Sequence, residues 1–373
     1  MSIKRILAFV LFLSTLFIFP CYAETPVPSA EHAVLMEASS RTVLYEKNAY
    51  ARASMASTTK IMTAILAIES GDLDRIVSVA PAAAGIEGSS VYLKAGQELT
   101  MEDLVYALML QSANDAAAAI ACEIAGSVEA FASLMNQKAA ALGLSDTHFA
   151  NPHGLDDESH YTTAYDLAVL SAYAMENPKF AEVVATVKRT ISLGEAEEMR
   201  VLVNHNRLLR AHSDVIGIKT GFTKKSGRCL VSAAENGGIR LIAVTLNAPD
   251  DWNDHRELLD YGFDSLEIRE IASVGDYTLE IDCVGGTDDK LTATNSTSLS
   301  LIMLKNENAG IRAVNELPRF VFAPVRRGEK LGEIVFYSGD KVLGAVDVVA
   351  EESVRAIEYN KGFFEKIKSL FAA

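Results

Sequence analysis

The sequence predicts an α+β protein in which helices cover an antiparallel sheet, followed by a smaller all-β part. Strand-like segments at both ends of the first two thirds of the chain enclose a run of helical patterns. Two apolar runs joined by Asn236-Gly237-Gly238 form a strong hairpin signal. After about residue 270, short β-like runs separated by Gly, Asp and Asn replace the helical patterns. This order of elements favours the α+β class.

The first elements are two strands and two helical stretches. Residues 33–48 predict strand, turn and strand, and a helical pattern covers 57–69. A second helical stretch covers 100–126, where Thr100 and Asp103 are spaced like a capping box. The sequence QSAND interrupts this stretch, which predicts an exposed turn carrying short polar side chains. Further helices are predicted at 131–144 and 162–175.

Later segments complete the sheet and begin a second domain. Residues 215–223, 229–235 and 239–247 predict strands, and 255–266 predict a closing helix. The chain therefore divides into four predicted parts. They are a signal peptide at 1–23, the α+β domain at 24–268, a small β-rich domain at 269–350 and an amphipathic C-terminal helix at 351–373.

The N-terminus has the pattern of a secretory signal peptide, with an uncleaved anchor as the alternative. Lys4 and Arg5 precede an apolar stretch at 6–19, and a cleavage site follows Ala23. Removing this segment leaves 32 basic against 49 acidic residues, so the net charge changes from −15 to −17. A chain this acidic, without a basic tract, is a poor nucleic-acid binder. The sequence thus predicts an exported protein with no nucleic-acid partner.

Ser57 and Lys60 have the spacing of a nucleophile and its base, in the sequence STTK. Residues i and i+3 share a helix face, with Cβ atoms about 5–6 Å apart, so the amine can reach the hydroxyl. A lysine acts as a base only when neutral, and burial or a second cation lowers its pKa. The same four letters also begin ordinary helices. The pattern therefore requires a second lysine and polar groups elsewhere in the chain.

Two later triplets supply those groups. Ser112-Ala113-Asn114 interrupts a helical stretch, and Lys219-Thr220-Gly221 lies in a β-rich run just before the hairpin. Gly221 removes a side chain where a backbone can approach a ligand closely. Each triplet alone is a weak signal, but the three motifs in this order, each in a suitable element, are a strong one.

The three motifs resemble the S-x-x-K, S-D-N and K-T-G set of class A β-lactamases and penicillin-binding proteins, except that the middle motif here is SAN. Longer stretches around the motifs resemble the serine-type D-Ala-D-Ala carboxypeptidases, the low-molecular-mass penicillin-binding proteins. These stretches include LMLQSANDAA, THFANPHGLDDESHYTTAYDLA, NHNRLL and GIKTGFTKKSGRCLVSAA. The resemblance covers residues 25–268 well and extends more loosely beyond them. It implies a β-lactamase/transpeptidase-like catalytic domain followed by a small all-β domain. It also implies peptidoglycan stem peptides as substrates and β-lactams as covalent inhibitors, with no cofactor and no metal.

The resemblance also implies a role for each motif residue. Ser57 attacks the penultimate D-Ala carbonyl, Lys60 is the base and Ser112 relays the proton to the leaving amine. The residues that bind or orient the substrate are Asn114, Lys219, Thr220, Gly221 and Phe222. The backbone N–H groups of Phe222 and Ser57 together form the oxyanion hole. Many relatives place an arginine before the last helix of this domain. Here Arg256 is the only basic residue in that stretch, DDWNDHRELL, and the sequence does not place it in the site.

Two other functions on the same fold remain as alternatives. A β-lactamase needs a glutamate that activates water, usually in an E-x-x-x-N loop, and no such spacing occurs between Cys122 and Asn204. A non-catalytic β-lactam sensor would not need Ser57, Lys60 and Lys219 together. The stretch HGLDDESH could also be drawn as a metal site, but nothing in its spacing specifies a ligand geometry.

The last residues predict a short amphipathic helix. Lys361, Lys366 and Lys368 against Glu365 give this tail a net charge of +2, opposite in sign to the rest of the chain. Its apolar residues fall on one face at helical period, and they are Phe363, Phe364, Ile367, Leu370 and Phe371. Such a helix suits the surface of an anionic membrane and is too short to cross one. Docking of the same face on the β-rich domain is the alternative.

Overall fold

The computed structural model describes residues 25–193, 199–305, 307, 310–358, 362, 367 and 368. The predicted signal peptide therefore lies outside the described residues, as does most of the predicted C-terminal helix. The structure forms two compact units that meet in sequence between Ser265 and Leu266. Each unit has its own hydrophobic core.

The N-terminal unit combines helices with a central sheet. Its strands are β1 His32–Glu37, β2 Val43–Lys47, β3 Ile76–Ser78, β4 Glu98–Thr100, β5 Lys188–Ser192, β6 Met199–Val203, β7 Val215–Thr223, β8 Gly227–Asn236 and β9 Ile239–Leu246. Its helices are α1 Lys60–Glu69, α2 Met101–Leu110, α3 Asn114–Ala125, α4 Val128–Ala141, α5 Ala164–Met175, α6 Pro178–Ala185, α7 Leu208–Ala211 and α8 Asp251–Ser265. Short 3₁₀ turns cover Ala56–Thr59 and Pro81–Ala83.

Five antiparallel strands form the main sheet in the order β2-β1-β9-β8-β7. The predicted hairpin is confirmed, because Asn236 pairs with Ile239 across the turn between β8 and β9. The other end of this order leaves β7 at the sheet edge, with a strand partner on one side only. The lysine-threonine-glycine triplet therefore lies on an edge strand.

Helix α3 lies in the middle of the helical layer and is built from small residues. Ala116, Ala117, Ala118 and Ala119 are all buried, so neighbouring helices can pack close to the α3 backbone. Half of the predicted capping box is observed at α2, where the side chain of Thr100 accepts a hydrogen bond from the backbone N–H of Asp103 at 3.0 Å. Packing around the buried alanines holds α3, whose first residue is Asn114.

The break between α2 and α3 differs from the predicted exposed turn. Ser112 has a φ of 59° and is 5% exposed, and Asn114 is 4% exposed. The turn is buried because α3 begins inside the core rather than at the surface. A serine in the left-handed region is uncommon and marks a position fixed by its surroundings.

The sequence patterns did not predict two short antiparallel strand pairs. Strands β5 and β6 pair from Lys188–Val203 to Ser192–Met199, and β3 pairs with β4. Each of these strands has only three to five residues, so none shows the long apolar run of a core strand. The β5–β6 hairpin leads directly into Asn204-His205-Asn206, the segment before α7.

Up to residue 358, the described part of the C-terminal unit is all β, as predicted. Its strands are β10 Leu266–Ala272, β11 Thr278–Val284, β12 Lys290–Asn295, β13 Leu299–Leu304, β14 Ile311–Glu316, β15 Phe320–Phe322, β16 Lys330–Ser338 and β17 Lys341–Ala350. Six form one sheet in the order β14-β16-β17-β12-β11-β15, and β10 pairs with β13. Residues 351–358 are extended rather than helical, with bridges from Val354 to Val325 and from Ala356 to Gly286.

The side chain of Asn295 joins several backbone segments of this unit through hydrogen bonds. Its buried side-chain amide donates to the backbone oxygens of Ser273 and Thr297 and accepts from the N–H groups of Gly275 and Tyr277. The letters Asn295-Ser296-Thr297 form a glycosylation sequon. A glycan on this amide would break these hydrogen bonds, so the sequon has a structural explanation.

Within the described residues, no single helix is long and apolar enough to cross a membrane. By length and composition alone, α3 and α4 pass that test as a pair bent by 82°.

Candidate active site

Ser57 lies in the 3₁₀ turn immediately before α1, not in the helix itself. Ala56 adopts the left-handed region with a φ of 47°. Two threonine hydroxyls close the turn: Thr58 Oγ1 donates to the Met55 oxygen at 2.6 Å and Thr59 Oγ1 donates to the Ala56 oxygen at 2.8 Å. The turn therefore holds Ser57 in a fixed backbone conformation at the start of a buried helix.

Lys60 Nζ makes three short contacts. It lies 2.9 Å from Ser57 Oγ, 2.7 Å from Asn114 Oδ1 and 2.5 Å from the backbone oxygen of His153. The amide and carbonyl oxygens can only accept hydrogen bonds. A neutral amine has two protons and one lone pair, so donating both protons to these oxygens leaves its lone pair directed at the Ser57 hydroxyl. In that protonation state the amine can accept the serine proton.

Electrostatics favours the neutral form of Lys60. The side chain is fully buried, and burial followed by the positive charge of Lys219 holds its pKa well below the usual lysine range, while Asp115 opposes the shift. Burial also lowers the pKa of Lys219, to about 7. The pKa values of both buried lysines, Lys60 and Lys219, are thus below the usual lysine range.

Asn114 is held in one orientation. Its Nδ2 donates to the backbone oxygen of Glu87 at 2.6 Å, which directs Oδ1 towards Lys60. A Cβ at Gly88, whose φ is 86°, would lie 2.9 Å from that Nδ2. The absence of a side chain at Gly88 therefore allows the loop to pack against the amide.

The edge of β7 and the turn at Ser57 enclose a pocket of about 340 Å³. A Cβ at Gly221 would lie only 3.1 Å from the Ser57 backbone nitrogen, so glycine allows β7 to approach the turn closely. The pocket is lined by Ser57, Ser89, Ser112, His205, Arg207, Thr220, Gly221, Phe222, Arg228, Asp251 and Trp252.

The structure brings the predicted site residues together in two layers. Five of them line the pocket, namely Ser57, Ser112, Thr220, Gly221 and Phe222. Three are buried behind them, namely Lys60, Asn114 and Lys219. Lys219 Nζ donates to the backbone oxygen of Thr220 at 2.9 Å, which places the ammonium group next to the pocket-lining part of β7.

Arg228, Asp251 and Trp252 line the pocket but were not predicted. Arg228 stands opposite Phe222 in the β7–β8 register, donates to Asp251 Oδ1 through Nε and Nη2 at 3.0 and 2.7 Å, and lies 5.7 Å from the Trp252 ring. The short turn between β7 and β8 is the sequence signal that could have placed Arg228 there. Arg256 instead borders a separate cavity of about 30 Å³ with His212 and Asp260.

The stretch HGLDDESH forms a loop that packs against Lys60 and the backbone of Ala56. His160 Nδ1 accepts from the backbone N–H of Ala150 at 3.0 Å, and Nε2 lies 2.7 Å from Thr59 Oγ1. His153 Nδ1 accepts from the N–H of Leu155 at 3.3 Å. No cluster of metal-ligating side chains occurs among the described residues. The histidines of this loop therefore serve its hydrogen bonding.

Comparisons with known proteins identify the family. The sequence profile described as D-alanyl-D-alanine carboxypeptidase matches residues 21–250. The chain belongs to this family. The profile of the C-terminal domain of penicillin-binding protein 5 matches residues 267–356. As a member of the D-alanyl-D-alanine carboxypeptidase family, the chain is a hydrolase of the serine peptidase class, and the family resemblance read from its motifs is confirmed.

Several curated carboxypeptidases are similar over most of their length. D-alanyl-D-alanine carboxypeptidase DacF of Bacillus subtilis is 32% identical over 335 residues, covering 87% of this chain and 86% of DacF. DacC of Escherichia coli is 31% identical over 376 residues, covering 96% and 91%. Both relatives extend over the two units of the present structure.

Solved structures support the predicted fold class. Penicillin-binding protein 5 from Haemophilus influenzae has a TM-score of 0.67 at 26% identity, covering 89% of this chain and 99% of that protein. A point mutant of the Streptomyces K15 DD-transpeptidase has a TM-score of 0.62 at 34% identity, covering 64% and 100%. The prediction of a transpeptidase-like domain followed by an all-β domain is confirmed.

Proposed function

We propose that the chain removes the terminal D-Ala from peptidoglycan stem peptides through an acyl-enzyme on Ser57. The observation that carries this proposal is the position of Lys60 Nζ, within hydrogen-bond distance of Asn114 Oδ1, the His153 backbone oxygen and Ser57 Oγ. Ser57 Oγ attacks the carbonyl carbon of the penultimate D-Ala, and its proton passes to Lys60 Nζ. The neutral lysine is therefore the base of the first step.

In the rest of the cycle, the proton taken up by Lys60 passes to the leaving amine. Collapse of the tetrahedral intermediate breaks the terminal peptide bond, and the leaving nitrogen takes the proton from Lys60 through the Ser112 hydroxyl. Terminal D-Ala departs as a neutral amine, and an ester remains on Ser57. Water then attacks the ester carbonyl, losing a proton to the same relay, and releases the shortened peptide while Ser57 regains its hydrogen.

Two further groups of residues bind the substrate in this proposal. The backbone N–H groups of Ser57 and Phe222 stabilise the negative oxygen of the intermediate, and the close approach at Gly221 supports their pairing. Lys219 and Thr220 hold the terminal carboxylate. Arg207 and Arg228 add positive side chains to the pocket lining, and Asp251 fixes the orientation of Arg228.

A labelling experiment tests the proposal. The full chain is incubated with a labelled penicillin and digested, and D-Ala release from a peptide ending in D-Ala-D-Ala is measured in parallel. We expect a long-lived adduct on the peptide that contains Ser57, together with D-Ala release. Rapid turnover of penicillin would instead indicate a β-lactamase, and an adduct without D-Ala release would indicate a sensor. An adduct on another residue would contradict the assignment of Ser57.

The site of action follows from the substrate class. Members of this family act on cell-wall peptidoglycan, which agrees with export of the chain. We place the enzyme at the outer face of the cytoplasmic membrane or in the cell-wall space, on the basis of the signal-peptide pattern at 1–23 and the charge of the C-terminal tail. Both segments lie mostly outside the described residues, so this placement rests on their sequences.

Deletion of residues 360–373 tests membrane association. Surface lysines contribute about 1 kcal/mol each near an anionic leaflet, and salt screens them. We expect the chain without residues 1–23 to sediment with anionic liposomes and to be partly released by high salt, whereas the truncated chain stays in the supernatant with its peptidase activity intact. Neutral liposomes are the control. Failure of the longer chain to sediment at low salt, or unfolding of the β-rich domain on truncation, would favour a helix docked on that domain.

A further inference from the structure

The ring of His160 has a single hydrogen-bonding arrangement. It is 4% exposed, and its Nδ1 accepts from the Ala150 N–H at 3.0 Å. The neutral ring therefore carries its proton on Nε2, which donates to Thr59 Oγ1 at 2.7 Å. Burial lowers the pKa of His160 to about 4, so the ring is neutral near pH 7. The direction of donation is thus fixed from the loop towards the turn.

The same chain of hydrogen bonds ends on the peptide bond of the nucleophile. Thr59 Oγ1 has one proton, which it donates to the Ala56 oxygen at 2.8 Å. That oxygen and the N–H of Ser57 belong to one planar peptide group and point in opposite directions. Fixing the oxygen towards Thr59 therefore directs the Ser57 N–H away from Thr59, within the plane of the peptide group.

We propose that His160 and Thr59 are positioning residues that hold the Ser57 N–H in the direction needed to stabilise the oxyanion. The inference rests on the proposed acyl-enzyme function. It goes beyond that function because neither residue touches the substrate or the Ser57 hydroxyl. Its physical basis is that Ala56 has a φ of 47°, a conformation that an alanine keeps only when its surroundings impose it.

The surrounding loop leaves no room for the Ala56 carbonyl group to take another orientation. A Cβ at Gly154, whose φ is 88°, would lie 1.9 Å from the Ala56 oxygen, so the loop backbone packs directly against the carbonyl. The next loop residue towards the N-terminus accepts from Lys60 through its backbone oxygen, at His153. One loop therefore contacts both the base and the peptide group of the nucleophile.

The test removes one hydroxyl at a time. Thr59→Val removes the link to the Ala56 oxygen and keeps the side-chain shape, whereas Thr59→Ser keeps the hydroxyl. We expect the second-order rate constant for acylation by benzylpenicillin to fall about 10- to 100-fold in Thr59→Val, and Thr59→Ser to recover most of it. Acylation of Thr59→Val at the wild-type rate would overturn the proposal.

A matched variant separates positioning from stability. Thr63 lies in α1, four residues after Thr59, is also fully buried, and donates to a backbone oxygen of the same loop, that of Pro152, at 2.6 Å. Its hydroxyl has no link to Ala56. We expect Thr63→Val to lower the melting temperature about as much as Thr59→Val while acylation stays within about threefold of wild type at 25 °C. Equal losses of acylation in both variants would show a structural role only.

A double variant tests whether His160 acts through Thr59. If it does, His160→Leu slows acylation, and adding Thr59→Val to it causes little further loss. Additive losses would contradict a shared path. Failure of the wild-type chain to form an adduct on Ser57 would defeat the proposed function itself. An adduct on wild-type Ser57, formed equally fast in Thr59→Val, would defeat only this inference.

Discussion

Ser57→Ala is expected to abolish both penicillin labelling and D-Ala release. Without the hydroxyl there is no group to attack the substrate, and the Lys60 amine loses the partner at 2.9 Å whose proton it would take. By comparison with other serine peptidases, we expect a loss of about 10⁴-fold or more in kcat/KM. D-Ala release is measured with purified full-chain protein, and labelling by mass spectrometry.

The control for this variant is Ser133→Ala, which removes the hydroxyl of an exposed serine on α4. Both variants should unfold at temperatures close to that of the wild type. Labelling of Ser57→Ala at the normal rate would show that the nucleophile is elsewhere in the chain.

Lys219→Ala is expected to lower kcat/KM by about 100-fold or more, comparable to the loss of a key electrostatic group. The variant removes the proposed partner of the substrate carboxylate. It also removes a positive charge that lowers the pKa of Lys60. Because Lys60 must be neutral to accept a proton, raising its pKa moves the acidic limb of the pH profile to higher pH.

The alkaline limb of the pH profile of kcat/KM gives a second test of the role of Lys219. Burial places the pKa of Lys219 at about 7, so its charge is lost as the pH rises through that value. Wild-type kcat/KM should therefore fall on the alkaline side, and Lys219→Arg should move that fall to higher pH because arginine stays charged. Lys224→Ala, at an exposed lysine in the adjacent turn, is the control. An unshifted profile with normal hydrolysis in Lys219→Ala would reject this role.

The sequence predicted the parts of the fold and site that depend on local pattern. The turn Asn236-Gly237-Gly238 indicated the β8–β9 hairpin because its residues favour the required backbone angles. The spacing of Ser57 and Lys60 predicted a contact that persists at 2.9 Å although the turn is 3₁₀ rather than α-helical. Such features need only a few consecutive residues.

Other parts could not be predicted because they depend on distant neighbours. Nothing near Ala56 signals a φ of 47°, which is imposed by a loop about a hundred residues away. The polar residues at Ser112 and Asn114 indicated an exposed turn, but burial of α3 overrode that tendency. Arg228 reaches the pocket because it pairs with Phe222 in the β7–β8 register, and it lies just outside the strand predicted at 229–235.

The open edge of β7 has a consequence for selectivity. A strand with one free side recognises an extended peptide mainly through main-chain amide groups, and these are the same whatever the side chains. Such an edge discriminates poorly among residue types. In the proposed function, the buried Lys219 beside this edge instead binds the carboxylate at the free end of the peptide. On this proposal the position of the cation selects the end of the peptide, and the enzyme should tolerate variation in the interior of the peptide more readily than any change to its free end.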